Sequence, residues 1–187
     1  MAQISTAISD FVLSAVSFYG ASFLARSYVH AAIGFLLIAF AAGSGAIRFL
    51  DIVSSKKMIT ELHDKASWFA AILGIPLIAT SFCVKYGVKN YLNIHLISST
   101  FGIILSSLFP KLKDVCTQCV STLAMFHIMI LSFQVKNIVA IAAVILYVIA
   151  VVVFGTSGNM MGYRNVDIFH YILVLANYTF IKALMKY

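Results

Sequence analysis

Five histidines, six acidic residues and three cysteines are set in a 187-residue chain that is 62% hydrophobic and only 10% charged. In hydrocarbon such groups are costly, so each one inside an apolar run is a candidate for function. Toward the C-terminus, Asp167, His170 and Asn177 recur at i, i+3 and i+10. That spacing lays three polar side chains on one helical face, which must look inward. His63 and Asp64 fall at a similar depth, with Asp51 close by. His63, Asp64, Asp167 and His170 could hold zinc and leave a position open for water, and Asp51 could serve as the base. The chemistry implied is metal-assisted hydrolysis. Histidines of equal depth, His30 with His95 and His63 with His170, are alternatively spaced as axial haem ligands, as in two-haem transmembrane b-type cytochromes. His127 stands alone near mid-span. Cys116 and Cys119 form a CxxC, Cys83 falls at the opposite membrane face, and three cysteines make no disulfide scaffold.

The elements that must position these residues follow from the apolar runs. A mean hydropathy of +1.01 over the whole chain predicts an all-α polytopic transmembrane bundle of about seven spans forming one domain. The spans fall at about 11–25, 31–50, 67–84, 92–109, 115–135, 138–154 and 166–184. The first two are antiparallel neighbours, because their connection is so short. The polar stretch 51–66 suits a short helix in the head-group region, and the span 138–154, apolar all round, suits contact with lipid. The region before the first apolar run has no basic residue, so a retained first span is expected rather than a cleaved signal.

Thirteen basic residues give a net charge of +7. They are scattered singly at helix ends, which points to anionic head groups and not to nucleic acid. Seven spans put the termini on opposite sides, and Lys and Arg divide seven to six between them. All six acids fall on the N-terminal side, which is therefore expected to be lumenal or extracellular. Several short spans favour a thin bilayer such as the endoplasmic reticulum.

Helices in lipid associate through small residues. Gly43 and Ala46 in the second span, Gly74 in the third, and Ser98, Gly102 and Ser106 in the fourth are the candidate contact positions. His127 and Asn177 are the deep polar groups. Arg48 lies three residues before Asp51 and could pair with it. Acids at the N-termini of odd-numbered spans (Asp10, Asp64, Asp114, Asp167) also suit the helix dipole with no chemistry at all.

The stretch DIFHYILVLANYTF, beginning at Asp167, resembles the last helix of seven-span zinc proteins of the adiponectin-receptor and alkaline-ceramidase type over about a dozen residues. That resemblance implies zinc-dependent hydrolysis of ceramide-like amides within the membrane. The family's two histidines, four apart, fall on Val166 and His170 here, and its serine and histidine near the end of span two fall on Ser44 and Arg48. The expected function is a non-catalytic accessory or scaffold subunit of a membrane assembly, one that could handle lipids. Its partners would be the bilayer and other membrane proteins. The alternatives are an intramembrane metal-dependent lipid hydrolase and then a haem electron carrier.

Overall fold

The computed structural model describes residues 3–88, 92–160 and 162–185. Among the described residues the fold is all-helical apart from one small hairpin. Helix α1 (Ile4–Leu24) returns along α2 (Val29–Leu50), and α3 (Lys56–Phe69) runs through a π turn (Ala70–Gly74) into α4 (Ile75–Lys85). Then come α5 (Leu92–Leu108), a 3₁₀ turn (Pro110–Leu112) and α6 (Lys113–Gln134). Helix α7 (Ile138–Ile149) ends in a second π turn (Ala150–Phe154), strands β1 (Asn159–Met160) and β2 (Tyr163–Arg164) pair antiparallel, and α8 (Asn165–Met185) closes the chain.

The solvent of this fold can be read from α1. Asp10 is 1% exposed and Thr6, Ser9 and Ser17 are buried, whereas Phe11 is 67% exposed and Phe18 and Phe23 also face outward. Polar side chains gather inside where they find partners, and the large apolar ones face outward, the arrangement that suits a hydrocarbon solvent. Five helices, Ile4–Leu24, Val29–Leu50, Lys56–Lys85, Pro110–Gln134 and Asn165–Met185, are long and apolar enough to cross a membrane. This is compatible with an integral membrane protein. Two more, Asn93–Leu108 and Ile138–Phe154, are apolar but shorter.

The stretch 51–66, expected as a separate interfacial helix, is largely the first half of a single 30-residue helix, Lys56–Lys85. At a rise of about 1.5 Å per residue that helix is roughly 45 Å long, well over a hydrocarbon core of about 30 Å. Its charged first turns can therefore stand among head groups without a break in the helix. The π turn has a local cause in Pro76, which has no N–H for the carbonyl four residues earlier. The Ile75 N–H reaches Ala70 O instead, and the ladder resets there.

Close approaches fix the order of the bundle. Gly34 of α2 lies against Gly74 of the π turn, where a Cβ on Gly34 would meet Gly74 O at 2.5 Å. A Cβ on Gly43 would reach Ser14 Oγ at 3.2 Å, and one on Gly102 would reach Val120 Cγ2 at 3.0 Å. Ala46 and Ser106 are buried, whereas Ser98 is half-buried and donates to His95 O of its own helix. Helix α7 turns Ala140, Ala143 and Val144 inward, packs on α8, and leaves Ile138 and Val148 outside. Orphan groups at helix ends are satisfied by side chains. The Ala31 N–H donates to Ser81 Oγ at 2.7 Å, Asn137 Oδ1 accepts from Ala140 N at 3.1 Å, and Lys85 Nζ donates to Leu184 O at 3.1 Å.

Candidate functional site

The inward face expected on α8 meets α1. Thr6 Oγ1 donates to Asp167 Oδ1 at 2.6 Å, and Asn177 Nδ2 donates to Ser17 Oγ at 3.0 Å. Between these bonds Ser9 Oγ lies 3.1 Å and Asp10 Oδ1 3.5 Å from His170 Nδ1. The proton positions follow from the hydroxyl. Ser9 donates to Thr6 O at 3.0 Å, so its oxygen can only accept from His170, whose Nδ1 must carry hydrogen. His170 Nε2 is then left as a lone pair.

From the other side, His63 Nδ1 donates to Ala41 O at 3.1 Å, which likewise leaves Nε2 without a proton. Gly45 of α2 separates the two groups. A Cβ there would meet Asp10 Oδ2 at 2.5 Å and His63 Cε1 at 2.9 Å, so only glycine lets the carboxylate and the imidazole approach across this helix. Asp10 Oδ2 has no hydrogen-bond partner among the described residues.

Asp10, His63, Asp64 and His170 line one cavity of about 560 Å³, together with Arg48 and Arg164. Arg164 of β2 crosses to α1, donating to Gln3 Oε1 and, at 3.2 Å, to Thr6 Oγ1. The strand pair β1–β2 is thus tied to the start of α1 through Arg164. Apolar walls come from Leu13, Ile38, Phe169 and Leu173, and Tyr147 reaches in from α7.

Of the four residues read as a zinc set, the structure brings His63 and His170 to a common cavity with their Nδ1 atoms engaged, as a metal-bound imidazole requires. It commits the two acids elsewhere. Asp64 accepts from Arg48 at 2.9 Å, and Asp167 accepts from Thr6. Arg48 therefore donates to Asp64 on α3 rather than to Asp51 on its own helix. Ser44 is buried and donates to Ala41 O at 2.8 Å, while Cys119 is exposed and Cys116 half-buried. His95, matched with His30 in the haem reading, lies 2.8 Å from His127.

Asp51, the candidate base, lines a separate cavity of about 250 Å³ with Gln3, Arg48 and Lys56. It caps α2 in the left-handed conformation, φ 59°, and its carboxylate accepts from Lys56 Nζ at 2.9 Å. The Lys56 ammonium holds the Asp51 carboxyl below the usual aspartate range. A carboxyl depressed in the folded state adds stability above its unfolded pKa, and that contribution is lost as pH falls through the folded value. NMR titration of Asp51 in micelles is expected to give a midpoint below that of a free aspartate, and Lys56→Met should return it to the ordinary range. A midpoint unmoved by that substitution would show that Lys56 is not the cause.

Asp10, expected as a helix-end charge ahead of the first span, is a buried acid of the site. Helix α1 starts at Ile4, so Asp10 lies in its second turn. The signal was present as Thr6, Ser9, Asp10, Ser14 and Ser17, a polar stripe at three- and four-residue spacing. Comparison of the chain with protein-family models, with curated proteins and with solved structures finds no match, so the chemistry of this site rests on its own atoms.

Proposed function

We propose that the protein is an integral membrane hydrolase that cleaves an ester or amide of an amphipathic lipid in the cavity bounded by α1, α2, α3 and α8. One observation carries the reading. Asp10 lies beside His170 and, across Gly45, close to His63, so that groups from three helices line one polar cavity within an apolar bundle. A structural seam would need α1 and α8 alone; it would not need His63 or two arginines on the same cavity.

Asp10 and Ser9 hold His170 by its Nδ1–H, so Nε2 is the atom available to take a proton from water. Ser9 is fully buried and bonded to its own helix, which makes water the nucleophile. The attacking oxygen forms the new bond to the carbonyl carbon, and the displaced alcohol or amine receives a proton from His170. Arg48 and Arg164 offer positive charge to the carbonyl oxygen as it becomes anionic, or to a head-group phosphate.

Turnover of a panel of acyl and amide lipids in proteoliposomes is the test. His170→Ala and Asp10→Asn are each expected to lower kcat by about 10²–10⁴-fold. An equal rate in His170→Ala, or no turnover of any lipid by the unaltered protein, overturns this reading. The second outcome favours a non-catalytic subunit held together by the α1–α8 hydrogen bonds, with membrane proteins copurifying in fixed ratio.

We infer also that α5 and α7 cross the bilayer, for seven crossings in an endomembrane such as the endoplasmic reticulum, with the N-terminus lumenal or extracellular. Support comes from α5, whose 17 residues rise about 26 Å, near the thickness of about 27 Å of that bilayer.

A further inference from the structure

At the opposite end of the bundle a second set of donor groups meets. Cys83 lies in the last turn of α4, His95 in the first turn of α5, and His127 in the second half of α6. About 30 Å of helix separates Cys83 from His63, so the two sets are distinct. Helices α4, α5 and α6 pack on one another. Cys83 and His95 are 0% and 1% exposed, and His127 is half-buried.

The ligand atoms converge. His95 Nε2 lies 2.8 Å from His127 Nδ1, Cys83 Sγ lies 4.0 Å from the same nitrogen, and all three atoms are within 4.8 Å of one another. Bonds of about 2.0–2.3 Å to a tetrahedral zinc ion hold neighbouring donors roughly 3.3–3.6 Å apart. The separations of 2.8 and 4.0 Å bracket that range. Parting the imidazoles by about half an ångström and drawing the sulfur in by a similar amount makes room for the ion.

We propose that Cys83, His95 and His127 bind one zinc(II) ion as a thiolate and two neutral imidazoles. The Cys83 thiol loses its proton to solvent as the sulfur–zinc bond forms. Whichever of His95 Nε2 and His127 Nδ1 carries the hydrogen of the present contact gives it up, and that ring moves to its other tautomer. Three protein donors leave a fourth position for water or another ligand. The sulfur and two nitrogens suit zinc and not magnesium or calcium, which take oxygen donors.

The test uses the purified protein in detergent, unaltered and with Cys116→Ser and Cys119→Ser, so that Cys83 is the sole thiol. Cobalt(II), a spectroscopic stand-in for zinc, is expected to give a thiolate-to-cobalt charge-transfer band that saturates at one equivalent and disappears on adding zinc. Cys83→Ser should abolish the band, and His95→Gln and His127→Gln should each weaken zinc binding by about tenfold or more. Zinc should also slow alkylation of Cys83 in proportion to its occupancy, a readout that needs no substitution at the site. A missing band, the same band in Cys83→Ser, or alkylation indifferent to zinc overturns the proposal. Binding of copper(I) alone by the same three residues overturns the choice of metal.

Discussion

Gly45→Ala is expected to reduce lipid turnover by about a hundredfold or more while the protein still folds. The added methyl would stand 2.5 Å from Asp10 Oδ2, 2.9 Å from Asp10 Cγ and 2.9 Å from His63 Cε1. All three atoms belong to side chains, so the backbone of the bundle can stay in place while the carboxylate and the imidazole are pushed apart. Displacing a catalytic group by about 1 Å can cost roughly 10²-fold. Alanine also has the higher helix propensity, by about 1 kcal/mol, which offsets part of the steric penalty and keeps the folded yield up. Gly43→Ala is the matched control two residues earlier, since its Cβ would meet only Ser14 Oγ at 3.2 Å. Turnover should fall in the first variant and persist in the second. Equal turnover in both would mean that Asp10 and His63 take no part in the reaction.

Gly34→Ala should instead act on the fold, destabilising it by about 2 kcal/mol. Here the methyl would stand 2.5 Å from Gly74 O and 3.4 Å from Gly74 C, both backbone atoms of the π turn, with Ile78 Cγ1 at 3.1 Å. A carbonyl held in a packed turn cannot rotate away, so α2 and the π turn must separate along their contact. The propensity gain of about 1 kcal/mol works in the other direction and is the smaller term. Unfolding in mixed micelles measures the difference. Gly102→Ala, whose Cβ would touch the ends of Val120 and Ile72 at 3.0 and 3.2 Å, is expected to cost clearly less. If Gly34→Ala proved as stable as the unaltered protein, α2 could not lie as close to the π turn as the structure places it.

The two glycines differ in how they could be found from the sequence. Gly74 stands four residues after Ala70 in an apolar run and is recognisable as a packing position. Gly34 stands in the second span without a small partner at matching spacing, and only the facing carbonyl reveals its role. The same holds for charge. Arg48 and Asp51 are three residues apart and suggest a pair, yet Arg48 donates to Asp64 and Asp51 accepts from Lys56. Asp51 sits in the left-handed cap after the helix has ended, so the i, i+3 geometry that would join the two side chains is broken there.

The amino-acid sequence by itself determined the class of this protein: an all-helical bundle with helices apolar enough to cross a membrane, small residues at their contacts and the polar face of Asp167, His170 and Asn177 turned inward. Transfer free energy depends on composition along a segment, and helical periodicity maps one residue onto a face, so both can be computed from a single string. Which face meets which neighbour is not a local quantity. The tertiary structure alone decided that Asp10 completes the cluster of His63 and His170, and that Cys83, His95 and His127 share one point. Depth along each helix follows from residue number, but rotation and neighbour order are set by packing among all the helices at once.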